Sequence, residues 1–320
     1  MKITFISQKG PCTIPRDLEH IPVDLAQQCA LKAENNHYSE LVNLNNDYDL
    51  IILLIPKTPQ DREELYKIDI VNIAKQKSKK VWYMQEGPSW IFQDLPLHQQ
   101  FWHYNVLASV DGILCENKTD ISYYQGLVPN QKVIDIPSVM IEDKIKNYKN
   151  NLKEEKVMIG GNFCRWYGGF DSYVVAQEFK AQIYAPSMGR KIENEEQIED
   201  IIHFPYMNWN HWIKTLSTFK YAIHLMPTIA AGTFAMNCGF LGVPCIGYNV
   251  ADTQRNIFPK LSVEMGDLLT ARKLAKKLKN DKDFYQECSN ESIQNYKEKQ
   301  SEKVFLNHMT KIFGELDENN

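Results

Sequence analysis

Residues 221–247 read YAIHLMPTIAAGTFAMNCGFLGVPCIG and contain the stretch that decides the fold. Residues 221–226 are an apolar segment that stops at Pro227, which predicts a strand buried on both faces. The small residues of 228–242 predict a loop that opens into a helix, and a Gly-x-Pro turn then leads into another apolar strand over 243–247. Strand, helix and strand in this order predict a βαβ unit of a parallel sheet.

The same alternation of strands and helices runs through most of the chain. Further apolar runs that predict strands lie at 2–7, 49–55, 80–84, 111–115, 132–136, 157–159, 182–185 and 201–204. A polar, Asn- and Lys-rich segment at 143–151 interrupts the pattern, which is typical of a domain boundary. We therefore predict an α/β protein with two Rossmann-like domains facing across a cleft. The predicted domains cover 1–145 and 156–300, with a linker over 146–155 and a terminal helical segment over 301–320.

Composition excludes several classes of protein. The 320 residues carry 36 Lys and Arg against 40 Asp and Glu, a formal charge of -4, which argues against nucleic acid as the partner. No apolar run approaches the roughly 18 residues that span a bilayer, and residues 1–7 are typical of a first strand rather than a signal peptide. The seven cysteines lack the spacing of a zinc site. We expect a cytoplasmic protein with reduced thiols and no transmembrane segment.

Ligands of open parallel sheets bind beyond the carboxyl ends of the strands. Gly161, Asn162 and Arg165 follow the predicted strand 157–159 and precede a helix. Glycines let the backbone approach a phosphate, a helix N-terminus offers free N–H groups, and Arg165 can pair with a diphosphate. An ordinary strand-to-helix turn with Arg165 in solvent explains these residues equally well. The loop matches neither G-x-G-x-x-G nor Walker A, which argues against a dinucleotide or triphosphate site.

A second candidate loop follows the predicted strand 221–226. Thr228, Gly232 and Thr233 offer hydroxyls and backbone amides to a phosphate or ribose, and Asn237 lies on the first turns of the next helix. Close packing of helix on sheet also explains the glycines, but it explains the polar Thr and Asn residues less well.

The strand and Gly-Gly loop with Arg165, followed by the pattern of 227–247, resemble the nucleotide-sugar domain of GT-B glycosyltransferases over about 156–290. The N-terminal half resembles that family in architecture alone. Retaining members carry a Glu-x7-Glu pattern, and this chain has Ile229 and Asn237 at those two positions. Both carboxylates are therefore absent, and Asn237 is the expected substitute contact to the ribose.

The resemblance implies a metal-independent, hexosyltransferase-type enzyme that moves a sugar from a nucleotide diphosphate donor without a cofactor. The acceptor would be a glycan, a lipid-linked sugar or a small molecule. Glu86 lies just beyond a predicted strand and is the candidate general base on the acceptor hydroxyl, although a capping or salt-bridging role is the alternative. Gly10 lies in the loop that faces the cleft in this family. The segment 301–320 is expected to pack back on the first domain.

Two other functions stay open. A non-catalytic GT-B module that binds a nucleotide sugar or a protein partner is favoured by the missing Glu pair and disfavoured by the retained Arg165 loop. A DNA-modifying glucosyltransferase of phage type shares the fold, and the acidic charge balance argues against it. The pattern does not distinguish retaining from inverting transfer, and it identifies neither the donor base and sugar nor the oligomeric state.

Overall fold

The computed structural model describes residues 1–7, 12–13, 26–55, 65–84, 87–143, 145–186 and 194–314. The chain divides into two units, one formed by Met1–Ile141 with Glu302–Asn320 and the other by Glu142–Ser301. Each unit has its own mainly parallel sheet, as the alternation of strands and helices predicts. The six cysteines whose side chains are described are all free thiols, and five of them are buried.

The first unit contains a seven-stranded sheet. Its strands are β1 (Ile3–Ser7), β2 (Cys12–Thr13), β3 (Glu34–His37), β4 (Leu50–Leu53), β5 (Val81–Met84), β6 (Gly112–Cys115) and β7 (Val133–Asp135). The order is β2-β3-β1-β4-β5-β6-β7, and every neighbouring pair is parallel except β2 with β3. The helices described here are α1 (Ala26–Ala30), α2 (Ile70–Lys77), α3 (Leu97–Ser109) and α4 (Lys118–Leu127). The central strands are buried throughout because helices cover both faces.

β3 forms from residues whose composition is typical of a helix. The helical composition of 23–36 predicts a helix, but α1 ends at Ala30 and the polar residues of β3 pair with β1. The pairing is supported by side chains that face the neighbouring strand: Ser7 Oγ donates to Asn35 Oδ1 at 2.8 Å, and Asn36 Nδ2 donates to Thr4 Oγ1 at 2.9 Å. Tertiary hydrogen bonding therefore overrides a local preference that the sequence alone expresses.

The second unit contains a six-stranded, fully parallel sheet. Its strands are β8 (Glu154–Ile159), β9 (Gln182–Ala185), β10 (Ile201–His203), β11 (Phe219–His224), β12 (Cys245–Tyr248) and β13 (Ser262–Val263), in the order β10-β9-β8-β11-β12-β13. The helices are α5 (Gly169–Ala176), α6 (Trp209–Leu216), α7 (Thr233–Leu241), α8 (Asp252–Ile257), α9 (Leu268–Asn280) and α10 (Lys282–Lys299). The chain builds outward from β8 to β10 and then returns to place β11 on the other side of β8. The sheet therefore has its topological switch point between β8 and β11.

The expected linker 146–155 is ordered structure within the second unit. Residues Lys146–Asn150 form a short 3-10 helix, and β8 begins at Glu154. Tyr148 Oη donates to Asn210 Oδ1 at 2.8 Å, and Asn151 Nδ2 donates to Ser217 Oγ at 2.6 Å. These bonds tie the segment to both ends of α6. Its polar composition therefore reflects side chains that bond to this unit rather than a free connector.

The last helix, α11 (Glu302–Phe313), follows the second unit in sequence and belongs to the first. Phe305 and Met309 are fully buried in a hydrophobic core of the first unit, together with residues of β1 and β4. The ring of Phe313 meets Trp82 of β5 edge-on, with the ring centroids 5.0 Å apart. The apolar face of α11 is thus a structural part of the N-terminal core.

Candidate functional site

The switch point of the second sheet is framed by two turns that bond to each other. Residues 160–168 follow β8, and residues 225–232 follow β11. Thr228 Oγ1 of the second turn donates to Trp166 O of the first at 2.8 Å, and Gly160 N of the first turn donates to Ile223 O of β11 at 2.7 Å. Because ligands of open α/β sheets bind beyond the strand ends at this point, the two turns form the candidate site.

Ser172 on α5 strengthens the connection between the turns. Its hydroxyl donates to Gly168 O at 2.8 Å and accepts from Leu225 N at 2.9 Å. Leu225 was expected inside a strand over 221–226, but β11 ends at His224 because the next N–H bonds to Ser172 instead of a neighbouring strand. The turn therefore begins two residues earlier than the apolar pattern predicts.

Gly168 and Gly232 precede α5 and α7, and both have a left-handed backbone, with φ of +62° and +66°. A Cβ on Gly168 would lie 1.8 Å from Leu225 O, and a Cβ on Gly232 would lie 1.8 Å from Thr253 Oγ1. Glycine is therefore required at both positions. Among the described residues, no side chain caps the N-terminus of either helix. Gly169 N of α5 donates to Asn162 O at 3.0 Å, so the first turn of α7 is the one whose N–H groups are available to an anion.

The structure brings the predicted residues of the first turn together. Gly161 is buried against Tyr167, and Asn162 is fully buried. Arg165 is exposed, and its guanidinium lies 4.7 Å from the centroid of the Trp166 ring. Thr228, from the second turn, bonds to the backbone of Trp166, so the two turns are neighbours in the second unit.

Asn237 is only 3% exposed on the second turn of α7. With its amide nitrogen toward Thr233 O and its oxygen toward Trp212 Nε1, both hydrogen bonds measure 3.0 Å. The amide therefore connects α6 to the first turn of α7. The expected contact of Asn237 with a ribose would have to displace these internal bonds, so the geometry favours a supporting role.

Three polar side chains at the carboxyl edge of this sheet were not recognised in the sequence. His203 Nε2, His224 Nε2 and Thr253 Oγ1 are buried, with no hydrogen-bond partner among the described residues. His203 and His224 end β10 and β11, and Thr253 lies on α8 beyond β12. Buried polar groups normally find partners, and each group left without one costs about 1–3 kcal/mol.

The imidazole of His224 is kept uncharged by its burial at the end of β11. Burial lowers the pKa of His224 to about 4. The sequence does not single out His224, because it lies within the apolar run from which the strand was predicted. A histidine in that place is interpreted as one more buried strand residue. The signal that could have identified it is a polar residue directly before a turn that follows a central strand.

In the first unit, Gly10 and Glu86 lie outside the described residues, so their predicted roles stay predictions. Phe92 of the first unit is buried against His103, with the rings parallel and their centroids 3.5 Å apart. His103 Nε2 lies 3.3 Å from Tyr83 Oη, and burial lowers the pKa of His103 to about 3. Phe92, His103 and Tyr83 are therefore part of the buried interior of the first unit.

Within the described part of the chain, no group of three or more His, Cys, Asp or Glu side chains could hold a metal ion. None of the described helices is long and apolar enough to cross a membrane.

No family model matches this sequence, and no curated protein matches it. Solved structures do match it. An alpha-glucosyltransferase in complex with UDP and a 13-mer DNA containing an HMU base has 12% identity and a TM-score of 0.68, covering 98% of this chain and 100% of its own. Anabaena HepE in complex with UDP and glucose has 9% identity and a TM-score of 0.68, covering 98% of this chain and 99% of its own.

S. aureus TarM, in complex with Fondaparinux, alpha-GlcNAc-glycerol and UDP, has 11% identity and a TM-score of 0.65, and the match covers 90% of this chain. This chain spans about three fifths of TarM, 59% of its length. At such low identity these structures show the fold alone. The expected α/β fold with the two Rossmann-like domains of GT-B glycosyltransferases is confirmed.

Proposed function

We propose that this protein is a glycosyltransferase that moves a sugar from a nucleoside diphosphate sugar, with UDP as the first nucleotide to test. The observation that carries the proposal is the switch point of the second sheet. Two hydrogen-bonded turns meet there, each followed by a helix without a side-chain cap. UDP in the three structures named above supports the choice of nucleotide.

In the proposed mechanism the leaving group is a nucleoside diphosphate whose negative charge grows as the glycosidic bond breaks. First-turn N–H groups of α7 and the positive end of its dipole would stabilise that charge, because they are fixed before the reaction. Arg165 would add a guanidinium from the neighbouring turn, where it is exposed and lies over the Trp166 ring. Gly161, Thr228, Gly232 and Thr233 would let the donor approach the backbone.

The acceptor would be activated by residues of the first unit. Glu86 would accept the proton of the acceptor hydroxyl, and Gly10 would line the acceptor side. The acceptor would be a glycan, a lipid-linked sugar or a small molecule, and the reaction would take place in the cytoplasm. Transfer would need neither a metal ion nor a cofactor, so activity should persist in EDTA.

Isothermal titration calorimetry with UDP, GDP and ADP and their glucose conjugates tests the donor site. Arg165→Ala should weaken nucleotide binding by one to two orders of magnitude, about 1.5–3 kcal/mol for a charge-assisted hydrogen bond. Arg272→Ala is the matched control, because Arg272 lies on α9 and pairs with Glu178 at 2.6 Å. Equal affinity in the Arg165 variant and the wild type would remove Arg165 from the site.

A second candidate function is binding without turnover. The turn after β11 carries Ile229 rather than a carboxylate, and the Asn237 amide is engaged by Trp212 and Thr233. An assay for donor hydrolysis and transfer separates the two, since nucleotide binding with no release of sugar would favour the binding module. DNA modification is disfavoured by the charge of -4, and a gel shift on duplex DNA across a salt series tests it.

A further inference from the structure

His224 lies between the turn that follows β8 and the first turn of α7. It ends β11, where it pairs with Gly247 on β12. A Cβ on Gly160 would lie 2.5 Å from His224 Cγ, so the glycine is what leaves room for the imidazole. On the helix side, the ring of Phe234 meets it edge-on, with the centroids 5.1 Å apart. Phe234 is the second residue of α7, so the imidazole borders the helix start that carries no side-chain cap.

The chemistry of this position does not suit a purely structural side chain. His224 is 9% exposed, and its Nε2 is buried with no hydrogen-bond partner among the described residues. The neighbours named above, Gly160, Phe234 and Gly247, carry no hydrogen-bonding side chain. A valine or leucine would fill the end of a buried strand without leaving a polar atom unsatisfied. The described residues therefore supply no hydrogen-bond partner to Nε2 of this imidazole.

We propose that His224 is a donor-binding residue whose imidazole donates a hydrogen bond to a diphosphate oxygen of the nucleotide sugar. This inference rests on the sugar transfer proposed above. A diphosphate seated on the first turn of α7 would bring its oxygens to the side of the helix that His224 borders. Because burial keeps the pKa of His224 low, the ring is neutral at pH 7 and offers one N–H donor without a formal charge.

The decisive experiment compares His224→Leu with the wild type in two measurements, nucleotide affinity and thermal unfolding. We expect affinity for UDP and for UDP-glucose to fall at least tenfold, while affinity for uridine, which has no diphosphate, is unchanged. We expect Tm to stay the same or rise, because leucine removes the unsatisfied polar atom. His224→Gln restores an N–H donor and should recover part of the UDP affinity.

His103→Leu is the matched control, a buried histidine of the first unit whose Nε2 lies 3.3 Å from Tyr83 Oη. It should lower Tm and leave UDP affinity unchanged. A merely structural role for His224 predicts the same pattern for both variants, which is the result that would overturn the inference.

A third measurement covers the case in which His224→Leu fails to fold. In the wild-type chain with ¹⁵N-labelled histidine, adding UDP should shift the ring nitrogen resonances of His224, assigned by their loss in His224→Gln. Resonances that do not move at saturating UDP would overturn the inference while the proposed function stands. If the wild type binds none of the nucleotides or their sugar conjugates, the proposed function fails and this inference fails with it.

Discussion

Replacing Gly168 by alanine tests whether the joined turns at the switch point depend on a missing side chain. The φ of Gly168 is +62°, and a Cβ there would lie 1.8 Å from Leu225 O, which is backbone and cannot swing aside. A left-handed conformation costs an L-residue about 1–2 kcal/mol, and forcing extra atoms into a packed site costs about 1–3 kcal/mol. We expect Gly168→Ala to lower the free energy of unfolding by about 2–5 kcal/mol and to reduce UDP affinity as the turns separate.

Alanine substitutions at two other glycines separate the conformational cost of a left-handed backbone from the steric cost of the added Cβ. Gly266 has a φ of +86° with nothing within 4 Å of the Cβ position, so Gly266→Ala measures the conformational cost alone. Gly126 lies in α4 at a helical φ with equal space, and alanine there should stabilise the protein by about 0.5–1 kcal/mol. Urea unfolding followed by circular dichroism gives the change in the free energy of unfolding for each of the three variants. A loss in Gly168→Ala no larger than that in Gly266→Ala would refute the close approach of the two turns.

Two further predictions concern stability. Ser172→Ala leaves the buried N–H of Leu225 without its acceptor, so it should cost about 1–3 kcal/mol in urea unfolding, whereas Ser122→Ala, on the exposed face of α4, should cost far less. His103 and His224 have folded pKa values of about 3 and 4, below the ordinary value of 6.5, so the unfolded chain binds protons that the folded chain does not. This difference costs no stability above pH 6.5, and stability is lost as the pH falls from 6.5 toward the folded pKa values of about 4 for His224 and about 3 for His103. The loss approaches about 1.4 kcal/mol per pH unit for each histidine. Urea midpoints at pH 7, 6 and 5 measure it, and a double His→Leu variant with an equally steep pH dependence would contradict the assignment.

The strands that could be predicted are those whose own residues are apolar on both faces. β4, β5, β6 and β12 follow directly from such runs, because a central parallel strand must bury every side chain. β3 could not be predicted this way, since its residues Glu34–His37 are polar and the strand exists through its pairing with β1. The end of β11 was misplaced for a similar reason, because the bond from Leu225 to Ser172 is invisible in the local pattern.

In the candidate site, too, the features marked by local sequence could be predicted, and those that depend on distant residues could not. The two turns were predicted because glycines and a proline mark them, and the rule for ligand position then selects them. The internal bonds of Asn237 depend on Trp212, which is 25 residues away in sequence, so no local pattern reveals them. His224 was missed because its importance comes from what surrounds it, a glycine on one side and an uncapped helix on the other.

The first unit needs residues from both ends of the given sequence, because α11 packs with the strands of residues 1–141. The second unit is one continuous segment, Glu142–Ser301, and holds all its strands once residue 263 has been synthesised. The first unit is discontinuous, and Phe305 and Met309 complete a core shared with Ile3 and Ile52. The hydrophobic core of the first unit therefore has all its parts only after the whole of the second unit, residues 142–301, has been synthesised.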